Sequence, residues 1–240
     1  MAQPKWYIRK TESGNIVEES IFLKFPPSIS KTKAKSKAKS KEKKNIENMS
    51  RRIRDLGRLV NANYTANDFT LVLTYDDESY AMLSSNGAEC DSKYDSIRKS
   101  AEQELKKYIK RCEYHCSKQG IALRTIYATS DMDSNTCNHV RVHHHVIVNN
   151  DAVEIMIRQW THGLVKCKSL VENVDHTSLA AYIIHQSRTH DGAHTYGRTR
   201  NLIKPSVSER ILVDPNADLI APKGSRIITS CRNKIKYFNK

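Results

Sequence analysis

The spacing of apolar residues switches between helical and alternating along the chain, which predicts both helices and strands. Apolar residues recur every three or four positions from Asn45 to Asn63 and from Ser92 to Lys118, so both segments are predicted as helices. Phe69 to Tyr75 alternates and is predicted as a strand. Shorter patterns predict strands at Ala122–Thr129, Val140–Val148 and Leu164–Leu170 and helices at Asn149–Trp160 and Thr177–Arg188.

The order of these elements predicts the fold class. Strand, long helix, strand, strand, helix and strand follow one another from Phe69 to Leu170. This is the order of a ferredoxin-like α+β sandwich, in which helices pack on an antiparallel sheet. The helix that begins at Thr177 is then an addition after the sandwich.

The residues before Asn45 lie outside this pattern. Trp6-Tyr7-Ile8 and Ile21-Phe22-Leu23 flank Ser13-Gly14-Asn15, which predicts a small hairpin. From Ser28 to Lys44 the chain is rich in lysine and nearly free of apolar residues, so this segment cannot form core. We interpret it as a flexible arm that adds sequence-independent, salt-sensitive affinity for phosphates; a solvated linker is the alternative.

The charge balance narrows the class of partner. A formal net charge of +14 and a pI of about 9.5 mean that the surface attracts polyanions, of which nucleic acid is the commonest inside cells. The mean hydropathy is −0.64, and no apolar run approaches the roughly 18 residues of a membrane helix, so no membrane partner is expected. The segment MAQPKWYIRK lacks the apolar core of a secretion signal, so we expect a cytoplasmic protein with reduced cysteines.

Three consecutive histidines lie in the apolar strand predicted at Val140–Val148. Side chains alternate between the two faces of a sheet, so His143 and His145 project to one face and His144 to the other. Two imidazoles with Cβ atoms about 7 Å apart can share one divalent ion. An isolated histidine triplet would be incidental, but imidazoles on an apolar strand need a ligand or hydrogen-bond partner to offset their desolvation. The pattern therefore favours a metal site.

A tyrosine with an unusual setting follows in the helix that begins at Thr177. Tyr182, His185 and Gln186 share a polar sector at i, i+3 and i+4, beside an apolar sector on the same helix. A tyrosine at the border of an apolar stripe is ordinarily a packing residue. Its interest comes from its pairing with the two-histidine strand.

In chain order, these motifs resemble those of rolling-circle replication initiators of the HUH endonuclease superfamily. The likeness is closest to the single-tyrosine, Rep-like proteins of plasmids and prophages of Gram-positive bacteria. The family's Phe-x-Leu-x-Leu-Thr-Tyr strand is matched by Phe69 to Tyr75, its histidine-hydrophobe-histidine strand by His143 to His145, and its helical Tyr-x-x-x-Lys/Gln motif by Tyr182 to Gln186. Further matches are Gly163-Leu-Val and Arg200-Asn-Leu-Ile-Lys-Pro205, so the resemblance covers roughly residues 45–205.

The resemblance implies an HUH endonuclease domain at 45–205, between the hairpin and arm at 1–44 and a C-terminal extension at 206–240. It places the two-histidine strand at the centre of the sheet. It also implies that Tyr182 attacks a phosphodiester of single-stranded DNA, leaving a free 3′-hydroxyl that primes synthesis and a covalent 5′-phosphotyrosine link that allows rejoining. Gln186, one turn along the helix, would position the phosphate or the phenol.

The implied cofactor is Mn²⁺ or Mg²⁺ bound by His143 and His145, and imidazole ligation favours Mn²⁺. Two histidines are too few for a hard-cation site, so a third ligand is expected. Asp131 is the first candidate, and Asp133 and His139 follow. Members of the family tend to carry glutamate as the third ligand, so the shorter aspartate departs from that pattern. At the position of Gln186 the family commonly has lysine; glutamine also occurs there but supplies no charge.

The resemblance also implies the partners. The expected substrate is single-stranded DNA at a replication origin, in the cytoplasm of a bacterial host. No Gly-x-x-x-x-Gly-Lys-Ser/Thr loop of a helicase occurs in the sequence, so a host helicase and polymerase are expected. Basic residues that follow the tyrosine closely enough to contact the DNA near the cut are Arg188, Arg198, Arg200 and Lys204.

Two alternatives remain open. The first is another single-tyrosine HUH enzyme, a transposase or a relaxase, although relaxases often reverse the motif order. The second is a non-catalytic nucleic-acid-binding protein whose histidines hold a structural metal. Cys112 and Cys116 look like half of a zinc site, but they lie in the long predicted helix with no second pair at finger-like spacing, so we expect ordinary helix packing.

Overall fold

The computed structural model is an α+β protein, and the sheets formed by its described residues are antiparallel. The predicted coarse class is therefore confirmed. The structure describes residues 3–25, 41–85, 93–133, 136, 138–170, 175–186, 196–214, 216–219, 222–230 and 233–239. Among these residues, no helix combines the length and apolar character that a bilayer-spanning helix needs.

The helices and strands predicted between Phe69 and Gln186 are present, with bounds that differ by a few residues. A short helix after Asp76 and several C-terminal strands were not predicted. In chain order, the described elements are β1 (Lys5–Ser13), β2 (Ile16–Lys24), α1 (Lys41–Asn63), β3 (Phe69–Thr74), α2 (Asp77–Ser85), α3 (Lys93–Lys118), β4 (Thr125–Met132), β5 (His139–Val148), α4 (Asn150–Gln159), β6 (Val165–Ser169), α5 (Thr177–Gln186), β7 (Gly197–Arg198), β8 (Ser206–Val207), β9 (Ile211–Val213), β10 (Arg226–Ser230) and β11 (Asn233–Asn239).

The chain divides into two compact units. Unit 1 consists of Met1–Asn63 and Ile203–Lys240, and unit 2 of Tyr64–Leu202. We had predicted boundaries after residues 44 and 205. The division differs because α1 belongs with the N-terminal hairpin rather than with the histidine strand.

Unit 1 is built on the predicted hairpin. β1 and β2 pair antiparallel along their whole length and are joined at Gly14, which has a φ of 60°. A Cβ at Gly14 would lie 2.1 Å from the carbonyl oxygen of Asn61, so this turn accepts only glycine. Strands β8 to β11 extend the sheet in the order β10-β11-β2-β1-β8, with β9 also on β1. The segment predicted only as a C-terminal extension thus completes the sheet of the hairpin.

Helix α1 packs on this sheet and begins at Lys41, four residues before its predicted start at Asn45. Its buried residues include Leu56, Leu59 and Val60. The preceding part of the predicted lysine-rich arm, residues 28–40, lies outside the described residues.

Unit 2 contains a five-stranded antiparallel sheet in the order β6-β3-β5-β4-β7, so the histidine-bearing strand β5 is central. Helices α3 and α4 pack together, and α3 packs on β4 and β5. Their side chains form one core with Leu71, Leu73 and Val146. Cys112 and Cys116 are buried free cysteines in this core, which confirms their packing role.

Candidate functional site

The register of the central strands sorts the three histidines onto two faces. His145 pairs with Val72 on β3 and Ala128 on β4, and His143 pairs with Thr74 and Ser130. Residues directly opposite in antiparallel strands project to the same face. His143 and His145 therefore share one face, which we call the histidine-pair face.

The two imidazoles of this face lie close together. Their ring centroids are 4.9 Å apart with an interplanar angle of 80°. The Nδ1 of His143 lies 3.0 Å from the carbonyl oxygen of Arg141. A carbonyl oxygen only accepts hydrogen bonds, so Nδ1 donates and the lone pair of the neutral ring is on Nε2. Metal-binding histidines are commonly oriented by such a hydrogen bond from the other ring nitrogen.

Helix α5 brings Tyr182 to the same face. The helix packs against β4 through a buried side that includes Ala180, Ile183 and Ile184. The ring of Tyr182 lies 5.0 Å from that of His145, centroid to centroid, and meets it edge to face at 80°. The tyrosine is 45% exposed, so a bound molecule can reach its side chain. The structure thus brings together the three side chains on which the sequence hypothesis depends.

His144 projects to the opposite face and is fully buried. Its Nε2 lies 2.8 Å from the hydroxyl of Tyr75, and its Nδ1 lies 3.0 Å from the hydroxyl of Thr129. A hydroxyl can donate or accept, so either neutral tautomer makes both hydrogen bonds. Burial is the main reason that the pKa of His144 lies well below its usual value, with the neighbouring histidines and Arg98 adding to the shift.

Asp131, our first candidate for a third metal ligand, is placed elsewhere. Its Oδ1 accepts a hydrogen bond of 2.6 Å from Nη1 of Arg98 on α3, and both side chains are almost fully buried. Nη2 of Arg98 also donates to the carbonyl oxygen of Thr129. Ser130 shares the histidine-pair face, whereas Asp131 lies where the β4–β5 register shifts and is directed towards Arg98 on α3. This arrangement does not support Asp131 as a ligand beside His143 and His145.

The two other candidates are also engaged away from the pair. The Oδ1 of Asp133 accepts from the backbone nitrogen and the hydroxyl of Thr136 in the turn between β4 and β5. The ring of His139 stacks on Tyr94 with centroids 3.9 Å apart. Within the described residues, no group of three or more His, Cys, Asp or Glu side chains is placed to hold a metal ion.

The donor set still fits a cation that is bound jointly with substrate. Mn²⁺ and Mg²⁺ commonly keep several waters and take substrate phosphate oxygens as ligands beside a few protein groups. The imidazoles of His143 and His145 lie side by side, and the ring of His145 meets that of the exposed Tyr182 edge to face. A phosphate held at the pair would therefore lie next to Tyr182.

The other predicted residues are spread more widely. Arg198 and Arg200 are exposed in unit 2, whereas Lys204 is exposed in unit 1. Gln186 ends α5, but its side chain lies outside the described part of the structure, as does the whole of Arg188.

Two lysines on β6 were not among the residues predicted from the sequence. Lys166 pairs with Val72, which in turn pairs with His145, and Lys168 pairs with Thr70 in the next row. Both lysines are exposed and share the histidine-pair face. The alternation Val-Lys-Cys-Lys-Ser was visible in the sequence, but its face depends on the β3–β6 register.

Gly163 positions this edge of the sheet. Its φ is 153°, and a Cβ there would lie 2.4 Å from the carbonyl oxygen of Thr74. The close approach allows the backbone nitrogen of Thr74 to donate to the carbonyl oxygen of Leu164. Gly163 thereby lets β6 begin beside the end of β3, next to the row of His143.

No family model matches the chain, and neither a curated protein nor a solved structure is significantly similar to it.

Proposed function

We propose that the protein is a metal-dependent, single-tyrosine endonuclease that nicks and rejoins single-stranded DNA in the manner of a rolling-circle initiator. The observation that carries this proposal is the contact between an exposed phenol, Tyr182, and the ring of His145, itself adjacent to His143. The three residues come from two distant segments of the chain. Their meeting on one face is what a nucleophile beside a phosphate-binding cation site requires.

The order of strands supports the proposal. Taking β3, β4, β5 and β6 as the first to fourth strands, their spatial order is fourth, first, third, second, and neighbours are antiparallel. This order agrees with the ferredoxin-like sheet expected of an HUH domain, so we include that fold in the proposal. The helices α3 and α4 lie between its strands in the chain as that fold requires.

The proposed reaction is a transesterification. The Tyr182 oxygen attacks phosphorus, the bond from phosphorus to the 3′ oxygen breaks, and the 5′-phosphate becomes esterified to the phenol. The phenolic proton passes to solvent and the departing 3′ oxygen takes one, so no net proton is consumed. Attack of a 3′-hydroxyl on the phosphotyrosine reverses the step and rejoins the strand.

Each residue has one task in this scheme. His143 and His145 bind the cation, and Tyr182 supplies the nucleophile. A bound Mn²⁺ or Mg²⁺ would neutralise charge on the nonbridging phosphate oxygens. The cleavage chemistry rests on the geometry of these side chains, while the role at a replication origin, with a host helicase and polymerase, rests on the motif resemblance.

The test uses the full chain, Mn²⁺ and a panel of single-stranded oligonucleotides, both stem-loops and unstructured strands. We expect a covalent protein–DNA adduct on a denaturing gel, with the nucleotide attached to the peptide that contains residue 182 by mass spectrometry. Tyr182→Phe should remove the adduct completely because phenylalanine has no nucleophilic oxygen.

Tyr114→Phe is the matched control, since Tyr114 is an exposed tyrosine on α3 in the same unit. It should form the adduct as the unmodified chain does. An adduct that persists in Tyr182→Phe would refute the assignment, as would the lack of any adduct across the panel under conditions in which Mn²⁺ binds.

A further inference from the structure

Unit 1 contains a cleft of about 340 Å³ that the cleavage proposal does not use. Its walls are α1 and the β1–β2 hairpin, and its basic lining residues are Arg9, Arg51, Arg54 and Arg58. The three arginines of α1 are spaced at i, i+3 and i+7, so they lie along one side of the helix. The cleft is therefore a basic groove between a helix and a sheet, which we call the arginine cleft.

One of these arginines has a structural task. Nε and Nη2 of Arg58 donate to the two carboxylate oxygens of Glu18 at 2.9 and 2.5 Å, and Glu18 is 4% exposed. Asp55 also faces Arg58, with Oδ1 3.7 Å from Nη1. Both acidic residues of the cleft are thus directed to Arg58, which ties α1 to the hairpin.

The other arginines of the cleft are not paired with its acidic residues, since both of these face Arg58. Among the described residues, Arg51 and Arg54 have no carboxylate partner. The Nε of Arg9 is buried and has no acceptor in the same part of the structure. A buried donor without an acceptor is unfavourable, so the cleft favours a ligand that brings acceptor oxygens.

An aromatic surface adjoins this charge. Phe22 lines the cleft and is only half-buried, and the ring of Tyr7 stacks on it with centroids 6.2 Å apart. The guanidinium of Arg9 lies 5.6 Å from the centre of the Phe22 ring. Grooves for single-stranded nucleic acid combine such cations with aromatic rings on which bases rest.

We propose that the arginine cleft binds single-stranded nucleic acid, with phosphates at Arg51 and Arg54 and a base against Phe22. The aromatic wall favours a base-bearing polyanion over an acidic peptide, and the cleft volume suits a nucleotide-sized group. In the sequence, the lysine-rich segment joins β2 to α1, the two elements that form the walls. This second site does not depend on the cleavage reaction of unit 2.

The test measures binding of a fluorescent single-stranded DNA, without origin sequence, to the full chain in EDTA, where no adduct forms. The variant Arg51→Gln/Arg54→Gln should bind about tenfold more weakly at low salt. The slope of log K against log salt should fall by about 1.4, since each phosphate contact on a single strand contributes about 0.7.

Arg52→Gln/Arg210→Gln is the charge-matched control, because both residues are exposed in the same unit and neither lines the cleft. Equal binding and equal salt slopes for the two double variants would overturn the proposal. The proposal would also be overturned if a duplex of the same sequence bound the unmodified chain more tightly than the single strand does, and if Arg51→Gln/Arg54→Gln weakened both kinds of binding equally. Adduct formation in Mn²⁺, measured on the same variants, tests the cleavage proposal separately.

Discussion

The two faces of β5 place the same residue type in opposite environments. His144 is enclosed between Tyr75 and Thr129, and both of its ring nitrogens have hydroxyl partners. The rings of His143 and His145, its immediate neighbours, contact each other, and the ring of His145 also contacts the exposed Tyr182. Adjacent residues in a strand thus reach an enclosed hydrogen-bonded network on one side and, on the other, a cluster that opens to solvent at Tyr182.

The buried network extends beyond His144. Thr129 contacts the ring through its hydroxyl, and its backbone carbonyl oxygen accepts a hydrogen bond from the guanidinium of Arg98. Arg98 also pairs with Asp131. His144, Thr129 and Arg98 therefore have hydrogen-bond partners within the protein. The histidine-pair face differs because, under the cleavage proposal, its imidazoles would bind an external cation, so the comparison sets a stabilising histidine against two proposed metal ligands.

The largest effect is predicted for the loss of both histidines on the histidine-pair face. His143→Ala/His145→Ala should lower adduct formation at least about 100-fold, because the phosphate loses the charge that would stabilise its transition state. Mn²⁺ binding, followed by electron paramagnetic resonance of the free ion, should fall in parallel. Binding of single-stranded DNA in EDTA should change little, since the basic residues are retained.

The control for this variant is structural. Its far-ultraviolet circular dichroism should match that of the unmodified chain, whereas its unfolding midpoint should fall, because His145 is only 8% exposed and its removal leaves a cavity; adduct formation is therefore compared at a temperature where the variant is folded. Cleavage that survives in a variant without bound Mn²⁺ would show that the pair is not a metal site.

Strand periodicity alone was enough to predict the histidine pair. The sharing of a face by residues two apart holds in any sheet, and the position of Tyr182 beside an apolar stripe follows from helix geometry. The direction of Asp131 could not be predicted in this way, because it depends on which residue of β4 opposes His143. That register is set by pairing between strands, which local sequence does not encode.

The same limit explains the rest of the fold. The alternation in β11 is short, and its partner β2 lies far away in the chain, so the segment 206–240 carried no visible sign of its sheet. Helix α1 was predicted, but its unit was not, since the pattern of an amphipathic helix does not name the surface that it covers. The arginine cleft was missed for this reason.

A smaller effect should appear on the buried face. His144→Ala should lower the free energy of unfolding by about 3 kcal/mol, because it leaves a cavity and deprives the hydroxyls of Tyr75 and Thr129 of a partner. Urea denaturation at pH 7 measures this loss. At a temperature where the variant is folded, adduct formation should remain within a few-fold of the unmodified chain.

His144→Gln is the matched control, since an amide can both donate and accept and fills more of the space than alanine. It should lose less stability than His144→Ala. If His144→Ala kept normal stability but lost cleavage, the structural role assigned to His144 would be wrong, because the residue would then act on the reaction rather than on the fold.

The smallest predicted effect concerns two lysines at the edge of the sheet, on the histidine-pair face. Lys166 and Lys168 share the face of His145 through the β6–β3–β5 register, so we expect them to contact phosphates of the strand that reaches Tyr182. Lys166→Gln/Lys168→Gln should weaken single-strand binding several-fold and lower the salt slope by about 1.4, because two phosphate contacts are lost. Fluorescence anisotropy across a salt series measures both quantities.

The charge-matched control is Lys106→Gln/Lys110→Gln, because these exposed lysines lie on α3, which packs on the opposite face of the sheet. If position on the sheet matters, only the β6 variant should also need more DNA for half-maximal adduct formation, since its lysines lie in the row of His145 and in the next row of the same face. If the two variants behave alike, the lysines act through net charge alone. The proposed DNA contacts on the histidine-pair face would then be limited to His143, His145 and Tyr182.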